Sequence, residues 1–301
     1  MQESKEKVLE NKILSQINKV SNTIGIELTT FCPLDCIYCT RKINERCDQN
    51  LSMEKFEELY KKIENYERVV ICGIGEPFVY PHLYEVLERL KDKRVVLITS
   101  GSVKIDFEKL KHGNCIEVMI FSVDSPTEEG MKKIASTYNW ENLQYNLSQA
   151  RGFTRIINCT ITEENIKDLT SLVQFAAEKG LSAISFTMDI RRVENGEYRE
   201  DVNQILLEAK KIAQKNRVFF MDNSTNFKCL SWSNLVNYIN LKGDFFPCCH
   251  GVNSKYVCGN IFESSISEIL ESEKMQAFKK GHLCFSNCKI FDDCCKLHDL
   301  R

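Results

Sequence analysis

Short apolar, β-branched runs alternate with helical patterns along the first two thirds of the chain, and this alternation restricts the fold more than any other feature. The strand-like runs lie at 23–30, 68–75, 94–101, 116–124, 155–162 and 183–190. Several are almost continuously apolar, which is typical of parallel strands buried on both faces. The helical patterns lie at about 52–66, 81–91, 105–112, 140–151, 165–179 and 201–215. Successive strand–helix units predict an α/β fold whose parallel sheet is open or curved into a partial (β/α)6 barrel.

The regular pattern stops near residue 216, and the rest of the chain is rich in cysteine. Of the 15 cysteines, eight lie in the last 73 residues. The segment 237–249 predicts a short hairpin with its turn at 242–244, and 265–280 predicts one further helix. This tail has few apolar positions, so we expect a bound metal centre to stabilise it. The predicted domains are a helical lead-in at 1–22, the barrel at 23–215 and a small cysteine-rich domain at 216–301.

Charge and hydropathy exclude several classes of protein. Lys plus Arg is 40 and Asp plus Glu is 42, so a net charge of −2 gives no sign of a nucleic-acid partner. The N-terminus lacks the apolar core of a signal peptide, and the longest apolar runs are too short to span a membrane. We therefore expect a cytoplasmic protein with no membrane partner. In that reducing compartment, clustered cysteines bind metals or do redox chemistry more often than they form disulfides.

Three cysteines follow the first predicted strand in the spacing C-x3-C-x2-C. They are Cys32, Cys36 and Cys39. Open α/β sheets place their ligand sites at the carboxyl ends of the strands, which is where this loop lies. Three thiolates can hold three corners of a four-iron cluster and leave the fourth iron open. A structural zinc site with a fourth ligand from elsewhere in the chain also fits this spacing.

At this motif the sequence resembles the radical S-adenosylmethionine (SAM) superfamily, in which the open iron binds the amino and carboxylate groups of SAM. Matching segments at successive strand ends are Gly73-Ile74-Gly75-Glu76-Pro77, Thr99-Ser100-Gly101 and Ser122-Val123-Asp124-Ser125. Each alone also fits an ordinary strand-to-helix turn or helix cap, but their order does not. The resemblance implies SAM contacts from Tyr38 near the adenine, from Gly73, Gly75, Glu76 and Pro77 near the methionine amino group, from Ser100, and from Ser122 and Asp124 near the ribose.

Four other cysteines, Cys47, Cys72, Cys115 and Cys159, stand alone in the sequence. The last three lie on or at the edge of buried-strand patterns. An isolated thiol in such a place is usually a small core hydrophobe. We expect these four to be spectators rather than ligands.

The tail contains a second cysteine pattern, which resembles the auxiliary-cluster extension called the SPASM domain and its shortened "twitch" form. The pattern departs from the family at its end, where His298 stands in place of a cysteine and Arg301 precedes the last expected one. The resemblance implies one auxiliary 4Fe-4S cluster, and a zinc knuckle of the same residues is the alternative. The implied ligands are Cys229, Cys248, Cys284 and Cys288, with Cys294 as the alternative fourth ligand.

Cys249 directly follows a predicted ligand. In some relatives that invert a stereocentre, a cysteine that binds no cluster donates a hydrogen atom to the substrate radical. The resemblance makes Cys249 a candidate for that role, and a spare buried thiol is the plainer interpretation.

The resemblance implies a reaction as well. An electron donor such as flavodoxin or ferredoxin reduces the cluster, SAM is cleaved to a 5′-deoxyadenosyl radical, and the radical takes a hydrogen atom from a substrate C–H. Relatives with this extension modify peptides or proteins by oxidation, crosslinking or epimerisation, and a few oxidise or epimerise aminoglycoside-type sugars. We expect a peptide or protein substrate, although only 22 residues precede the first strand, too few for a peptide-binding domain.

Three other functions fit part of the sequence. One is a radical SAM dehydrogenase or epimerase of an aminoglycoside-type sugar. Another is a zinc-stabilised binding protein without catalysis, which would not need the Gly-Ile-Gly-Glu segment. The third is a tRNA-modifying radical enzyme, which the lack of a basic domain disfavours.

Overall fold

In the computed structural model, the described residues are 22–39, 41, 48–113, 115–189, 200–222, 237–247 and 256–279. Their strands are β1 (Thr23–Ile26), β2 (Arg68–Ile71), β3 (Arg94–Thr99), β4 (Ile116–Ser122), β5 (Thr154–Ile161), β6 (Ala183–Met188), β7 (Phe219–Asp222), β8 (Asn237–Ile239), β9 (Asp244–Phe246) and β10 (Gly259–Asn260). They form one ten-stranded sheet in the order β10-β9-β8-β1-β2-β3-β4-β5-β6-β7. Neighbouring strands from β8 through β7 are parallel, and β9 and β10 continue the sheet antiparallel.

Helices alternate with the parallel strands, as the pattern predicts, and two further helices follow β10 in the tail. They are α1 (Met53–Lys62), α2 (Leu83–Arg89), α3 (Phe107–Gly113), α4 (Glu128–Ile134), α5 (Trp140–Gln149), α6 (Leu169–Glu178), α7 (Glu200–Lys215), α8 (Ile266–Glu271) and α9 (Glu273–Lys279). Ser52 caps α1 by accepting a hydrogen bond from the Lys55 amide, and Glu54 lies in the first turn. No helix in the described residues is long and apolar enough to cross a membrane.

The two faces of the sheet differ in burial. One face packs against the helices, and its side chains are completely buried, including Val69, Leu97, Phe121 and Ile157. On the opposite face, cross-strand neighbours such as Ile98, Ile120 and Ile156 are only half buried. The inner face of the sheet is therefore partly open, as in a barrel that does not close. The expected α/β fold with a partial barrel is confirmed.

The structure has elements that the sequence does not predict, among them β7, α4 and the two-residue strand β10. Strand β7 pairs with β6 in parallel and lies after residue 216. It has only four residues, too few for a clear apolar pattern. Helix α4 contains Gly130, a poor helix former, and is capped by Thr127. A Cβ at Gly130 would lie 1.9 Å from the Ser125 hydroxyl, so close packing requires the glycine there.

The tail begins as predicted but joins the barrel in an unexpected way. The predicted hairpin forms β8 and β9, with its turn at 240–243 rather than 242–244. Strand β8 also pairs with β1 in parallel, so the hairpin extends the sheet of the barrel. The predicted helix at 265–280 is two helices, α8 and α9, which meet at Ser272. Residues 1–21 of the predicted lead-in lie outside the described residues, and the domain boundary near 216 stays a prediction.

Candidate functional site

The loop after β1 carries Cys32, Cys36 and Cys39, whose thiols are half buried and free. Burial raises the pKa of Cys32 to about 11 and that of Cys36 to about 12. The negative charge of Glu76 raises the pKa of Cys32 further and that of Asp124 raises the pKa of Cys36, with a smaller effect of Cys39 on both, so these groups lie within electrostatic range of one another. No three His, Cys, Asp or Glu side chains of the described residues are grouped as a site for a single metal ion. In a four-iron cluster each cysteine binds a different iron, and three soft donors on one loop suit that centre.

Contacts from outside the cysteine loop hold its backbone in place. The Ile37 amide donates to the carbonyl of Ile134, the last residue of α4, at 2.9 Å. The exposed Asp35 carboxylate accepts from the Ser136 hydroxyl at 2.6 Å, which lowers the pKa of Asp35. The unpredicted helix α4 and the segment that follows it thus support the loop.

Arg41 also fastens this loop, and the sequence analysis did not identify it. Its guanidinium donates to the carbonyl oxygens of Thr30, Cys32 and Leu34 at 3.2–3.4 Å. It also donates to Asp48 at 3.4 Å. The Arg41 charge lowers the pKa of Cys32, opposing the effect of burial. A single side chain therefore spans the first half of the loop.

Glu76 joins the turn after β2 to the end of β3. Its side chain is 2% exposed. One carboxylate oxygen accepts from the Thr99 hydroxyl at 2.7 Å, and the other accepts from the Ser100 amide and hydroxyl at 2.8 and 2.6 Å. The Glu76 amide donates to the Phe31 carbonyl, in the cysteine loop, at 2.8 Å. The segments predicted at these two strand ends thus lie together and against the cysteine loop, with Pro77 buried at the start of a short 3-10 turn.

The glycines before Glu76 permit this close approach. A Cβ at Gly75 would lie 2.2 Å from the Thr29 carbonyl oxygen and 2.8 Å from that of Phe31. Gly73 has a φ of +145°, and a Cβ there would lie 2.7 Å from Glu27 Cγ. The turn at 73–76 therefore packs directly on the backbone that leads into the cysteine loop.

Tyr38 and Asp124 connect the cysteine loop to the segment after β4 and to β5. The half-buried Tyr38 donates its hydroxyl to Asp124 Oδ2 at 2.6 Å, and the Thr160 amide donates to Asp124 Oδ1 at 2.7 Å. Burial raises the pKa of Asp124 to about 6 and that of Tyr38 well above its usual value. Ser122 ends β4 beside Asn158 of β5, half buried on the inner face.

The remaining cysteines fall into three groups. Cys115 and Cys159 are buried in the hydrophobic core, as predicted. Cys72 is half buried, and Cys258, which the sequence analysis assigned no role, is buried near the tail helices. The others lie outside the described residues, namely Cys47, Cys229, Cys248, Cys249, Cys284, Cys288, Cys294 and Cys295.

The sequence matches two family models. Residues 26–206, more than half of the chain, match the radical SAM superfamily, and 229–295 match the SPASM iron–sulfur cluster-binding domain. The chain is 26% identical over 220 residues to a probable GTP 3′,8-cyclase of Methanocaldococcus jannaschii, covering 68% of this chain and 72% of the cyclase. It is 22% identical over 316 residues to the tungsten-containing aldehyde ferredoxin oxidoreductase cofactor-modifying protein of Pyrococcus furiosus, covering 89% and 87%.

Solved structures share the fold. Native anSMEcpe with bound AdoMet has a TM-score of 0.70 at 17% identity, covering 89% of this chain and 88% of that chain. SuiB of Streptococcus suis bound to precursor peptide SuiA has a TM-score of 0.67 at 17% identity, covering 93% and 73%. The iron–sulfur family models favour clusters over the zinc alternatives and an enzyme over a binding protein. The chain belongs to the radical SAM superfamily: it is an iron–sulfur enzyme with a C-terminal SPASM domain, and its cofactors are SAM, a 4Fe-4S cluster and an auxiliary cluster.

Proposed function

We propose that this enzyme modifies a peptide or protein, and that Cys32, Cys36 and Cys39 hold the cluster at which SAM binds. One observation carries the site assignment. Glu76 connects the turn at 73–76 to the cysteine loop and to Ser100 by hydrogen bonds. Tyr38 connects the same loop to Asp124, just after β4, and all of these segments lie at one edge of the parallel sheet. Ligand sites of open α/β sheets lie at that edge.

The chain's own residues prepare this site for its cofactors. When bound, the cluster and SAM supply a 5′-deoxyadenosyl radical by reductive cleavage of a carbon–sulfur bond, and the radical removes a hydrogen atom from the substrate. Arg41 and the Asp35–Ser136 contact hold the cysteine loop. The half-buried apolar side chains of the inner face exclude water and competing hydrogen donors.

Hydrogen bonds within the protein assign different tasks to the residues expected to contact SAM. Both carboxylate oxygens of Glu76, and both of Asp124, accept hydrogen bonds from protein groups. We infer that these two side chains shape the site, while the backbone of the 73–77 turn meets the methionine amino group. We infer that Ser100 also shapes the site, because its amide and its hydroxyl both donate hydrogen bonds to the Glu76 carboxylate. Ser122, on the inner face, stays our candidate for the ribose.

A peptide substrate is supported by the structural neighbours. SuiB was solved with precursor peptide SuiA, and anSMEcpe with the Cp18Cys peptide. Oxidation, crosslinking and epimerisation of the peptide are all compatible with this assignment. An aminoglycoside-type sugar is the small-molecule alternative, and the match to probable GTP 3′,8-cyclases makes GTP a further substrate to test.

We further propose that one auxiliary 4Fe-4S cluster binds in a domain that begins near residue 216. Its proposed ligands are Cys229, Cys248, Cys284 and Cys288, with Cys294 as the alternative fourth ligand. Cys248 follows β9 by two residues, so the hairpin joined to β1 would carry one ligand of that cluster. Cys249 is proposed as a hydrogen donor if the reaction is an epimerisation. Flavodoxin or ferredoxin is the proposed electron donor, and the cytoplasm the proposed location.

The assignment of the triad is tested by removing all three thiols. Replacing Cys32→Ala, Cys36→Ala and Cys39→Ala together should remove about four irons per chain and abolish 5′-deoxyadenosine formation with dithionite, because these three thiols are the proposed protein ligands of the SAM-binding cluster. Iron, sulfide and deoxyadenosine are measured after anaerobic reconstitution. The matched control Cys72→Ala should keep its iron content and its deoxyadenosine formation. Undiminished SAM cleavage in the triple variant would contradict the assignment.

The packing of the turn is tested with a pair of glycine variants. Gly75→Ala would push the turn away from Thr29 and Phe31, with a cost of about 1–3 kcal/mol in the free energy of unfolding and a loss of SAM binding. Gly152→Ala is the control, since a Cβ there has no neighbour within 4 Å. Thermal unfolding and the SAM-induced change in the cluster's EPR spectrum provide the measurements. If both variants unfold at the same temperature and show the same SAM-induced EPR change, the close approach at Gly75 is unimportant.

The tie between the loop and β4 is tested by Tyr38→Phe. The variant keeps the ring but leaves the buried Asp124 Oδ2 without its donor, which should cost about 1–3 kcal/mol in the free energy of unfolding. We expect iron content to stay at the wild-type level and the rate of SAM cleavage to fall, because the loop loses its fixed position relative to β4. Tyr145→Phe, on an exposed ring, is the control. Wild-type stability and cleavage in Tyr38→Phe would refute the role of this hydrogen bond.

A further inference from the structure

Glu27 is a completely buried carboxylate next to the site, and none of the roles given above includes it. It directly follows β1 and is 0% exposed. Carboxylates are seldom buried in this way unless their oxygens are bonded. Glu27 Oε1 accepts a hydrogen bond from the Ile74 amide at 3.0 Å. The Glu27 side chain therefore reaches the middle of the Gly-Ile-Gly-Glu turn.

The turn is shaped around this side chain. A Cβ at Gly73 would lie 2.7 Å from both Glu27 Cγ and Glu27 Oε1, so only glycine leaves room for the carboxylate. Gly73 also has a φ of +145°, which few other residues adopt. This conformation directs the next amide, that of Ile74, at Glu27. Glu27 and Gly73 thus fit each other on one side of the turn, while Glu76 is bonded to Phe31 on the other.

The backbone of Glu27 faces the tail. Its amide donates to the Ile239 carbonyl at 2.9 Å, which continues the parallel pairing of β1 with β8. Strand β8 lies within the segment that matches the SPASM domain. One residue therefore contacts the tail strand through its main chain and the turn at 73–76 through its side chain.

We propose that Glu27 is a positioning residue that holds the 73–76 turn in the conformation that binds the methionine amino group of SAM. The proposal rests on the assignment of that turn to SAM. It does not place Glu27 in contact with SAM or with the cluster, so its loss should weaken SAM binding without removing iron.

The test compares two replacements of Glu27 in the full-length reconstituted enzyme. Glu27→Ala removes the acceptor and should raise the KM for SAM about tenfold in dithionite-driven deoxyadenosine formation, the effect of losing one hydrogen bond to a buried group. Iron content and kcat should change less than twofold. Glu27→Gln keeps an oxygen at the Oε1 position and should restore the KM to within about threefold of wild type. Cys72→Ala is the matched control, since Cys72 directly follows β2 and lies close to Glu27, and it should leave the KM unchanged.

Each contrary outcome overturns the proposal in a distinct way. A wild-type KM in Glu27→Ala means that the hydrogen bond does not position the turn. A parallel loss of iron and activity in both variants means that Glu27 supports the fold as a whole. A KM in Glu27→Gln as high as in Glu27→Ala means that the acceptor oxygen is not what matters. If Gly75→Ala also leaves SAM binding intact, the assignment of the turn to SAM fails, and not only the role of Glu27.

Discussion

The hydrogen bonds of the Glu76 side chain and amide hold the proposed site together. They connect three pieces of chain that are far apart in sequence: the cysteine loop at Phe31, the turn after β2 and the end of β3 at Ser100. Because Glu76 is buried, leaving any of its carboxylate oxygens without a hydrogen-bond donor would be costly. The turn cannot move without disturbing β3 or the loop. The proposed cofactor site is therefore fixed by contacts within the protein itself.

The sequence predicts the parts of the site that depend on motifs and on periodicity. Alternating apolar runs predict the parallel sheet, and because the carboxyl ends of parallel strands share one edge, the segments at Cys32, Glu76, Ser100 and Asp124 were expected to lie together. What the sequence could not predict was the partner of each side chain. Glu76 and Asp124 were expected to face SAM, and in the structure their oxygens accept from Ser100, Thr160 and other protein donors.

The elements that the sequence missed lack a repeating signal. Arg41 and Glu27 act as single residues, whose contacts with carbonyls and amides leave no pattern in the chain. Helix α4 contains a glycine because of its packing against Ser125, so tertiary contact overrides a low helix propensity. The pairing of β8 with β1 joins strands that are far apart in the sequence, and hydrophobic periodicity does not reveal which strands are neighbours.

That pairing has a consequence for how the enzyme matures. Ile24 of β1 is paired with Asn237 of β8, although the two lie 213 positions apart in sequence. Until β8 has been synthesised, β1 has only β2 beside it and offers a row of unpaired amides and carbonyls at an open edge. Contacts between such distant segments form late, because closing a long loop costs entropy before any contact repays it. The strand that leads into the cysteine loop therefore acquires its second neighbour only after the barrel is complete, and a nascent chain lacking the tail would leave that strand at an open edge of the sheet.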